Sequence, residues 1–356
     1  MTTKTALIAM SGGVDSAVAA FLMQEAGFLC QGGIMRLQEG AGCQTEQDVA
    51  DAGAVAARLG IPLHVLSFRE DFSQKVIDRF VDAYEKGITP NPCIDCNRFL
   101  KFDRLYDAAK ELGLEYLATG HYARIQKGEN GRWQLLKGPD PKKDQSYVLY
   151  ALTQEQLSHT VFPLGELSKE QVRRIAREQC FENAHRGDSQ DICFIPDGDY
   201  AAFIRRRTGK TYPEGNFVDA TGRVLGRHKG IIHYTVGQRR GLGISAEKPL
   251  YVKAICPENN TVVLASNEEL FERRLVAHSF NWVSISQPEA PIRCTARARY
   301  HHPEQPATAT VLSDGRVEVL FDQPQRALTP GQSVVLYEGD AVLGGGVIDT
   351  GSNCEK

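Results

Sequence analysis

The stretch from residue 5 to residue 23 constrains the fold more than any other. Residues 5–10 are apolar without polar alternation, residues 11–16 have the sequence Ser-Gly-Gly-Val-Asp-Ser, and residues 17–23 are apolar at helical spacing. This order predicts a buried strand, a tight loop and a helix. Adjacent glycines let the loop direct its backbone N–H groups at one point, and the positive end of the helix dipole adds to that point. The stretch is therefore typical of a phosphate-binding loop in an α/β fold.

The polar groups of this loop indicate which phosphate it holds. The loop lacks the Gly-Lys-Ser/Thr ending of a P-loop, so it brings no lysine to a transferred γ-phosphate. Its polar side chains are Ser11, Asp15 and Ser16, which fit a pyrophosphate group with Asp15 free to hold Mg²⁺. The alternative is an ordinary strand-to-helix turn whose glycines only allow close packing. That alternative is disfavoured because Ser-Gly-Gly-X-Asp-Ser is far rarer than a plain Gly-Gly turn.

Length and composition limit the remaining possibilities. The 356 residues, 42% of them hydrophobic and 24% charged, suit two or three globular domains. A net charge of −3 gives no overall attraction to nucleic acid, so RNA binding would need clustered basic residues. The sequence has no secretory signal pattern and no apolar run of roughly 20 residues, and its nine cysteines are scattered along the chain. These features predict a cytoplasmic protein with mostly reduced thiols and no membrane span.

Three segments of different periodicity predict three domains. Residues 1–198 alternate short apolar runs with helical segments, the pattern of a doubly wound parallel sheet flanked by helices. Residues 199–274 begin with a helix and are then rich in glycine and single basic residues, which predicts a small central α+β adaptor. Residues 275–356 are predicted to form an antiparallel β-barrel. The expected strands in the last two segments are 230–236, 251–255, 279–285, 292–300, 308–312 and 316–321, with a turn at Asp314 and Gly315.

Two residues at predicted strand ends are expected to border a nucleotide. Ligands of parallel sheets lie beyond the carboxyl ends of the strands, and Met35 and Gly120 each follow or end such a strand. For Met35, a role as a core filler is an equal alternative. His121 follows Gly120, where a structural histidine and a ligand-contacting one are both open interpretations.

Three cysteines are candidates for chemistry. Cys93 and Cys96 form a Cys-X-X-Cys pair at or just before a helix predicted to run from about Asn97. A helix N-terminus lowers a thiol pKa, which would make thiolate available near neutral pH. A lone Cys-X-X-Cys is compatible with redox chemistry, zinc or no function, and the absence of a second pair at zinc-ribbon spacing disfavours a self-contained zinc site. Cys193 follows a polar loop in a strand-like apolar context, where a buried, inert thiol is the simplest interpretation.

Basic residues cluster in two places. Ser168 and Gln171 form a capping box that opens a helix carrying Arg173, Arg174 and Arg177, which is either a solvated face or a phosphate contact. In the predicted strand 292–300, alternation would put three arginines on one face beside aromatic residues, which suits phosphate contact with stacking. The residues of this second cluster are Arg293, Arg297, Arg299, Tyr300, His301 and His302.

These motifs together resemble a known family. The loop at residues 11–16 is similar to that of the PP-loop ATP pyrophosphatases, which cleave ATP between its α- and β-phosphates to adenylate a carbonyl oxygen. Further motifs resemble the tRNA-specific 2-thiouridylases along essentially the whole chain, at residues 89–92, 96–97, 118–122, 143–147, 188–195 and 237–243. The resemblance implies an enzyme that adenylates the C2 oxygen of the wobble uridine of tRNA and replaces it with sulfur, releasing AMP and pyrophosphate.

The resemblance also implies the site residues. ATP would be bound by Ala9, Met10, Ser11, Gly12, Gly13, Val14, Asp15, Ser16, Met35 and Gly120. The catalytic residues would be Cys193 as the persulfide carrier, Cys96 as the second cysteine and Asp15. The tRNA would be contacted by Asn91, Pro92, Cys93, His121, Lys143, Asp144, Gln145, Arg299, Tyr300 and Gln332. Sulfur would come from a relay protein or a cysteine desulfurase, and we expect a monomer.

Cys93 departs from the pattern, because many 2-thiouridylases carry aspartate at this place. Cys93, Cys96 and Cys193 would suit a [4Fe–4S] cluster with one open iron that binds hydrosulfide. The competing hypothesis leaves Cys93 as a bystander and forms a Cys96–Cys193 disulfide after persulfide transfer. Two other function classes remain as alternatives: another PP-loop adenylating enzyme, such as an amidotransferase-type synthetase, which needs no paired cysteines, and a non-catalytic RNA-binding protein, which leaves the loop without a role.

Overall fold

The computed structural model describes residues 3–38, 45–185 and 192–350. The strands in these ranges are β1 (Thr5–Met10), β2 (Leu29–Arg36), β3 (Leu63–Ser67), β4 (Tyr116–Ala118), β5 (Ala123–Lys127), β6 (Trp133–Lys137), β7 (Thr160–Val161), β8 (Gly215–Val218), β9 (Val224–His228), β10 (Tyr251–Cys256), β11 (Thr261–Ala265), β12 (Phe271–Trp282), β13 (Ile292–Arg297), β14 (Gln305–Val311), β15 (Val317–Arg326), β16 (Ser333–Glu338) and β17 (Ala341–Ile348). The helices are α1 (Val14–Glu25), α2 (Glu46–Leu59), α3 (Arg69–Phe72), α4 (Asp78–Glu85), α5 (Pro92–Cys96), α6 (Leu105–Glu111), α7 (Gln154–Ser158), α8 (Lys169–Glu178) and α9 (Tyr200–Thr208). Wider π-helical turns, Ser73–Ile77 and Asn97–Arg104, join α3 to α4 and α5 to α6. In these ranges no helix is long and apolar enough to cross a membrane.

The predicted parallel sheet is confirmed. Its five strands have the order β3-β2-β1-β4-β7, and all neighbours are parallel. The chain moves outward from β1 to β3 on one side and returns through β4 to β7 on the other, so the order reverses between β1 and β4. Loops at such a reversal border an open crevice, which is where ligands of doubly wound sheets bind. The loop after β1 therefore lies at the expected binding position.

The helix that carries the two neighbouring cysteines begins earlier than predicted. Asn91 is its N-cap and accepts a hydrogen bond from the backbone N–H of Cys93 at 3.2 Å, and Pro92 is the first helical residue. Asparagine caps and a proline at the first position both favour a helix start. The expected start near Asn97 is therefore wrong: Cys93 is the second residue of the helix and Cys96 is its fifth.

The central segment is a small α+β unit. It consists of the expected helix, α9, capped by Asp199, and a four-stranded sheet of order β10-β11-β8-β9. The strand expected at residues 230–236 is wrong. Gly230 has a φ of +106° and a 3₁₀ turn, Ile231–His233, follows it, so the chain turns where alternation suggested extension.

The predicted antiparallel barrel is confirmed, with one strand displaced. Six strands follow the order β12-β15-β14-β13-β16-β17, and pairing between β12 and β17 closes the barrel. The first strand is Phe271–Trp282 and not 279–285. The β5–β6 hairpin of the first segment extends this sheet through a pairing of Leu136 with Ala341, which sequence patterning did not predict.

The barrel is fastened to the first segment by buried polar contacts. The hydroxyl of Tyr147 donates to the backbone oxygen of Ser333 at 2.7 Å, and Asn281 Nδ2 donates to the backbone oxygens of Tyr150 at 2.7 Å and Leu152 at 2.9 Å. A hydrophobic cluster runs from the parallel sheet to barrel residues such as Tyr337 without a break. The barrel therefore holds a fixed position beside the first segment.

Candidate active site

The loop at residues 11–16 is closed by its own serines. Ser16 Oγ accepts from the backbone N–H of Ser11 at 3.1 Å and donates to the backbone oxygen of Gly13 at 2.9 Å. Gly12 has a φ of +74°, and a Cβ at this position would lie 2.6 Å from the backbone oxygen of Asp48. Glycine is therefore required at Gly12 both by backbone conformation and by space.

The first turn of α1 is arranged for an anion. Gly13 is the N-cap and makes no side-chain capping hydrogen bond, so the first N–H groups of the helix face the loop without a side-chain acceptor from the cap. Uncapped N–H groups and the helix dipole together favour a phosphate at this end.

Asp15, in that first turn, is held by two other segments. Lys169 Nζ lies 2.8 Å from Asp15 Oδ1 and 2.9 Å from Oδ2, and the Tyr122 hydroxyl donates to Oδ1 at 2.7 Å. Gly120 allows this arrangement, because a Cβ there would lie 3.0 Å from the backbone carbon of Asp15. The expectation that Asp15 is free to hold Mg²⁺ is wrong for this structure, since both of its oxygens accept from Lys169.

Lys169 is a site residue that sequence reasoning missed. It is the first residue of α8, directly after the Ser168 cap, and it stands 154 residues from Asp15 in the chain. The loop sequence predicted a phosphate site without lysine, whereas the fold brings one in from α8. The capping box located the helix start correctly, but nothing in its spacing indicated which loop the helix faces.

The other residues expected to bind ATP gather around the end of β1. Several of them are buried in the sheet or in α1 and therefore form part of the core beneath the loop: Met10, Val14, Ser16 and Met35. Met35 belongs to the main hydrophobic cluster, which agrees with its alternative role as a core filler. Met10 packs over Gly32, where a Cβ would lie 2.6 Å from its sulfur. Contact of these residues with ATP remains a prediction.

The Cys193 thiol is accessible. Cys193 lies in a turn closed by a hydrogen bond from the N–H of Ile195 to the backbone oxygen of Ile192 at 2.9 Å, and it is exposed. The next residue, Phe194, anchors the turn against the rings of Phe72, Phe80 and Phe203. The strand-like context and the burial of this thiol are therefore wrong, and its reactivity stays a prediction. Residues 188–191 of the same motif lie outside the described residues.

The pKa of the Cys96 thiol is shifted upward, whereas the sequence predicted a downward shift. Burial raises the pKa of Cys96 to about 12, Lys101 lowers it, and Cys193, Cys93 and Asp95 raise it further. Cys93 is exposed at the surface, yet its sulfur has enough neighbours for desolvation to raise its pKa as well, with a further increase from Cys193. Loss of hydration at these sulfurs raises their pKa by more than the helix N-terminus lowers it. The mutual effects also mean that the three thiols lie within electrostatic reach of one another.

Lys101 is a second residue that the sequence did not single out. It lies in the π-helical turn Asn97–Arg104 and lowers the pKa of three groups, Cys93, Cys96 and His121. Five residues separate Lys101 from Cys96, and in a π-helical turn that spacing returns a side chain to the same face. Lys101 therefore provides positive charge beside the cysteine pair.

The [4Fe–4S] cluster expected at the three cysteines stays a prediction. Cys93, Cys96 and Cys193 all belong to the described residues, and within those residues no three cysteine, histidine or acidic side chains are placed to hold a metal ion. The three thiols interact electrostatically. Mg²⁺ binding near Asp15 likewise stays a prediction.

Some residues expected to contact tRNA instead position the cysteine helix. Gln332 Nε2 donates to the backbone oxygens of Thr89 at 2.9 Å and Pro90 at 3.3 Å. Asn91 caps the helix, and Pro92 is buried as its first residue. The barrel thus fastens the loop that precedes Cys93. Contact of Gln332, Asn91 and Pro92 with tRNA remains a prediction.

The segment from residue 143 to residue 145 is an anchor between the hairpin and the barrel. The Asp144 carboxylate is buried and accepts from the backbone N–H groups of Gly138 at 3.2 Å and Ser146 at 3.0 Å, while Gln145 Oε1 accepts from the Tyr122 N–H at 2.9 Å. Lys143 is half-buried at the rim of the same turn. These hydrogen bonds hold the segment firmly to the rest of the fold. Its contact with tRNA remains a prediction.

His121 is buried between aromatic rings. Its Nδ1 lies 2.7 Å from Thr119 Oγ1, and its ring centroid is 5.6 Å from that of Phe102 and 5.7 Å from that of Phe162. Burial, with a smaller effect of Lys101, lowers the pKa of His121 well below its ordinary value. The imidazole is therefore neutral at pH 7, and its burial matches the structural interpretation.

The predicted basic strand face is wrong. Arg293 is exposed and pairs with Asp322, whereas Arg297 has a side chain only 15% exposed that pairs with Glu304 at 3.0 Å and Asp144 at 3.6 Å. Strand β13 ends at Arg297, so Arg299 does not continue the alternation. It donates to the backbone oxygen of Val236 at 2.9 Å and to Thr329. Alternation in the sequence does not place these guanidinium groups on one solvent face.

Tyr300 lies at the junction between the barrel and the cysteine helix. Its hydroxyl donates to the backbone oxygen of Asp144 at 3.3 Å, and its ring is 5.7 Å from that of Tyr147. Burial raises the pKa of Tyr300, and Cys93 contributes to the increase. Tyr300 is therefore within electrostatic reach of Cys93, and its predicted stacking on a base stays a prediction.

Comparison with known proteins covers the whole described fold. Residues 4–197 match the family described as "tRNA methyl transferase HUP domain", residues 201–266 match "tRNA methyl transferase PRC-barrel domain", and residues 272–348 match "Aminomethyltransferase beta-barrel domain". These matches account for the parallel sheet, the central unit and the closed barrel in turn.

Curated relatives extend the match to full length. The tRNA-specific 2-thiouridylase MnmA of Clostridioides difficile is 48% identical over 354 residues, covering 97% of this chain and 98% of the relative. The protein of the same name from Acetivibrio thermocellus is 49% identical over 359 residues, covering 98% of this chain and all of the relative. That from Carboxydothermus hydrogenoformans is 48% identical over 356 residues, covering 97% and 98%. The chain therefore belongs to the tRNA-specific 2-thiouridylase family.

Proposed function

We propose that the protein is an ATP-dependent tRNA uridine 2-sulfurtransferase that forms 2-thiouridine at the wobble position. The observation that carries the proposal is the pairing of two separate sites in one chain of this family. An uncapped helix N-terminus with a serine-closed loop suits a pyrophosphate group, and three thiols lie within electrostatic reach of one another. The first site suits activation by ATP and the second suits sulfur transfer.

The first step is adenylation of the uridine. The C2 oxygen attacks the α-phosphorus of ATP, the bond between the α-phosphorus and the bridging oxygen breaks, and pyrophosphate leaves with the electron pair. Backbone N–H groups of the loop stabilise the charge on the departing phosphates. The C2 oxygen has then become part of an AMP leaving group. Mg²⁺ would add Lewis-acid stabilisation of these phosphates when bound, and we assign no ligand to it.

The second step transfers sulfur from a persulfide on Cys193. The terminal sulfur attacks C2 and AMP leaves with the former carbonyl oxygen. The Cys96 thiolate then attacks the Cys193 sulfur, which breaks the S–S bond to the substrate sulfur, leaves that sulfur on C2 and forms a Cys96–Cys193 disulfide. The two cysteines are oxidised as the sulfane sulfur is reduced. An external thiol must reduce the disulfide before the next cycle.

The loop and the cysteines favour this reaction over the two alternative functions. An amidotransferase-type synthetase would share the loop but has no use for an accessible Cys193 beside Cys96. A non-catalytic RNA-binding protein would leave the serine-closed loop and the exposed Cys193 without a role. We assign tRNA as the substrate, a relay protein or cysteine desulfurase as the sulfur source, the cytoplasm as the location and a monomer as the working state.

One experiment separates the three functions. The protein is incubated with ATP, unmodified tRNA and a persulfide donor, and both AMP and 2-thiouridine are measured. We expect both products in equal amounts and only when tRNA is present. AMP without thiolated nucleoside would indicate another adenylating enzyme, and tRNA binding with neither product would indicate an RNA-binding protein.

Replacing Cys93 tests the persulfide route against the cluster. We expect Cys93→Ser to retain 2-thiouridine formation within about threefold of wild type, because Cys93 is exposed and serine preserves its size. Product is measured with a persulfide donor in the absence of oxygen, and Cys96→Ser serves as the inactive control. A brown wild-type protein that loses both its iron and its activity in Cys93→Ser would contradict the persulfide route.

The raised pKa of Cys96 predicts a pH dependence for product release. Since the thiol is protonated at neutral pH and only the thiolate attacks, the rate of disulfide formation should rise with pH, by about tenfold per unit from about pH 7 to 9. The groups that face this thiol are Lys101, Cys93, Cys193 and Asp95. The measurement is single-turnover release of 2-thiouridine from protein already loaded with persulfide. A rate that is flat over this range would show that Cys96 attack does not limit release.

A further inference from the structure

We infer that Lys169 is the cation that binds the pyrophosphate part of ATP, an inference that rests on the proposed function. The Lys169 ammonium bridges both oxygens of Asp15, at 2.8 and 2.9 Å. Asp15 belongs to the first turn of α1, whose N–H groups face the loop. The ammonium therefore stands at the mouth of the phosphate-binding loop, although the loop sequence itself contains no lysine.

The burial of this ion pair indicates a site with a purpose beyond stability. The Lys169 side chain is 11% exposed and the Asp15 side chain 32%. A buried ion pair loses hydration on both partners, so it adds little to stability compared with apolar residues of similar size. Asp15 is the more exposed partner of the pair, and it is the one that belongs to the helix turn facing the loop.

Tyr122 fixes the geometry of the pair. Its hydroxyl donates to Asp15 Oδ1 at 2.7 Å, and Lys169 Nζ lies 5.9 Å from the centre of its ring. Tyr122 is itself 3% exposed and belongs to the hydrophobic cluster under α1. Asp15 and Tyr122 thus act as positioning residues, which hold the ammonium in one place at little further entropic cost when the ligand binds.

Charge balance gives Lys169 its role in the reaction. A polyphosphate that enters the loop meets the Asp15 carboxylate, which would repel it if it were unpaired. Lys169 cancels that charge, and its ammonium attracts the phosphate oxygens electrostatically. When the bond to the α-phosphorus breaks, pyrophosphate takes the electron pair, and the added charge develops beside the ammonium. Lys169 is therefore placed to favour the departure of pyrophosphate.

The test compares ligands that differ in their phosphates. Dissociation constants for ATP, inorganic pyrophosphate and AMP are measured by calorimetry on the full chain without tRNA. Lys169→Met is expected to weaken the binding of ATP and pyrophosphate on the order of 10- to 100-fold, the range of a charge-assisted hydrogen bond, and to change AMP binding less than about twofold. Lys169→Arg should recover part of the loss. Lys86→Met is the matched control, because Lys86 forms an exposed ion pair with Asp82 on α4.

The outcomes separate this inference from the proposed function. If wild-type protein binds neither ATP nor pyrophosphate, both fail. If it binds them and Lys169→Met binds them equally well, or loses AMP to the same extent, only the role of Lys169 fails. Should Lys169→Met not fold, the double variant Lys169→Met with Asp15→Asn leaves no unpaired charge. If that double variant still binds pyrophosphate as tightly as wild type, the inference is overturned. If it loses affinity for pyrophosphate but keeps its affinity for AMP, the inference is supported.

Discussion

Replacing Cys193 with serine should abolish 2-thiouridine formation, with a fall of at least about a thousandfold, because the proposed mechanism carries the transferred sulfur on this residue. Adenylation does not use this thiol. Single-turnover release of pyrophosphate from ATP in the presence of tRNA should therefore stay within about twofold of wild type. The two products are measured in the same reaction, so the variant separates activation from sulfur transfer.

The structure makes this experiment interpretable. Cys193 is exposed in a turn that Phe194 anchors, so serine disturbs no packed group and the variant should keep its thermal stability. Cys180→Ser is the matched control, because Cys180 is another exposed free thiol, situated beyond the end of α8. Thiolated product from Cys193→Ser within tenfold of wild type would contradict the role of Cys193.

The second large effect is expected at Asp15. Asp15→Ala should lower tRNA-dependent AMP formation far more than tenfold, the equivalent of about 1.4 kcal/mol of barrier. It removes the carboxylate that holds Lys169 and accepts from Tyr122. It also leaves a nearly buried ammonium without this partner, for which a cost of about 3 kcal/mol is typical. AMP formation and thermal unfolding are therefore measured together.

Two further variants distinguish chemistry from stability at Asp15. Asp15→Asn keeps an acceptor for Tyr122 but loses the charge, so it should be more stable than the alanine variant and still weakly active. Asp82→Ala breaks an exposed ion pair with Lys86 and should change neither quantity appreciably. If Asp15→Ala kept AMP formation within tenfold of wild type, Asp15 would have no part in the reaction.

Interactions between neighbours in the chain were predicted well. The strand, loop and helix at residues 5–25 follow from contiguous residues, and the Ser168 cap follows from short-range hydrogen bonds. The start of the cysteine helix was missed although its signal is local. Asn91 and Pro92 are a favourable cap and first residue, and the prediction placed them in a loop instead.

Interactions between distant residues were beyond the sequence. The pKa of Cys96 depends on how much water its sulfur loses, and that depends on segments as distant as the Cys193 turn. Arg297 sits in a strand pattern typical of a solvent face, yet it pairs with Asp144 and Glu304 because the hairpin segment packs on the barrel there. Patterns of alternation report which residues share a face and carry no information on what covers that face.

The sequence by itself determined the parallel sheet, the phosphate-binding loop at the end of β1, the barrel and the family, since each depends on residues close together or on motifs spread along the chain. Only the tertiary structure decided that Lys169 neutralises Asp15, that Gln332 fastens the loop before Cys93, and that the thiols are desolvated. The physical reason is that electrostatic and solvation energies depend on distances in space, and partners separated by more than a hundred residues become neighbours only when the sheet and barrel have packed.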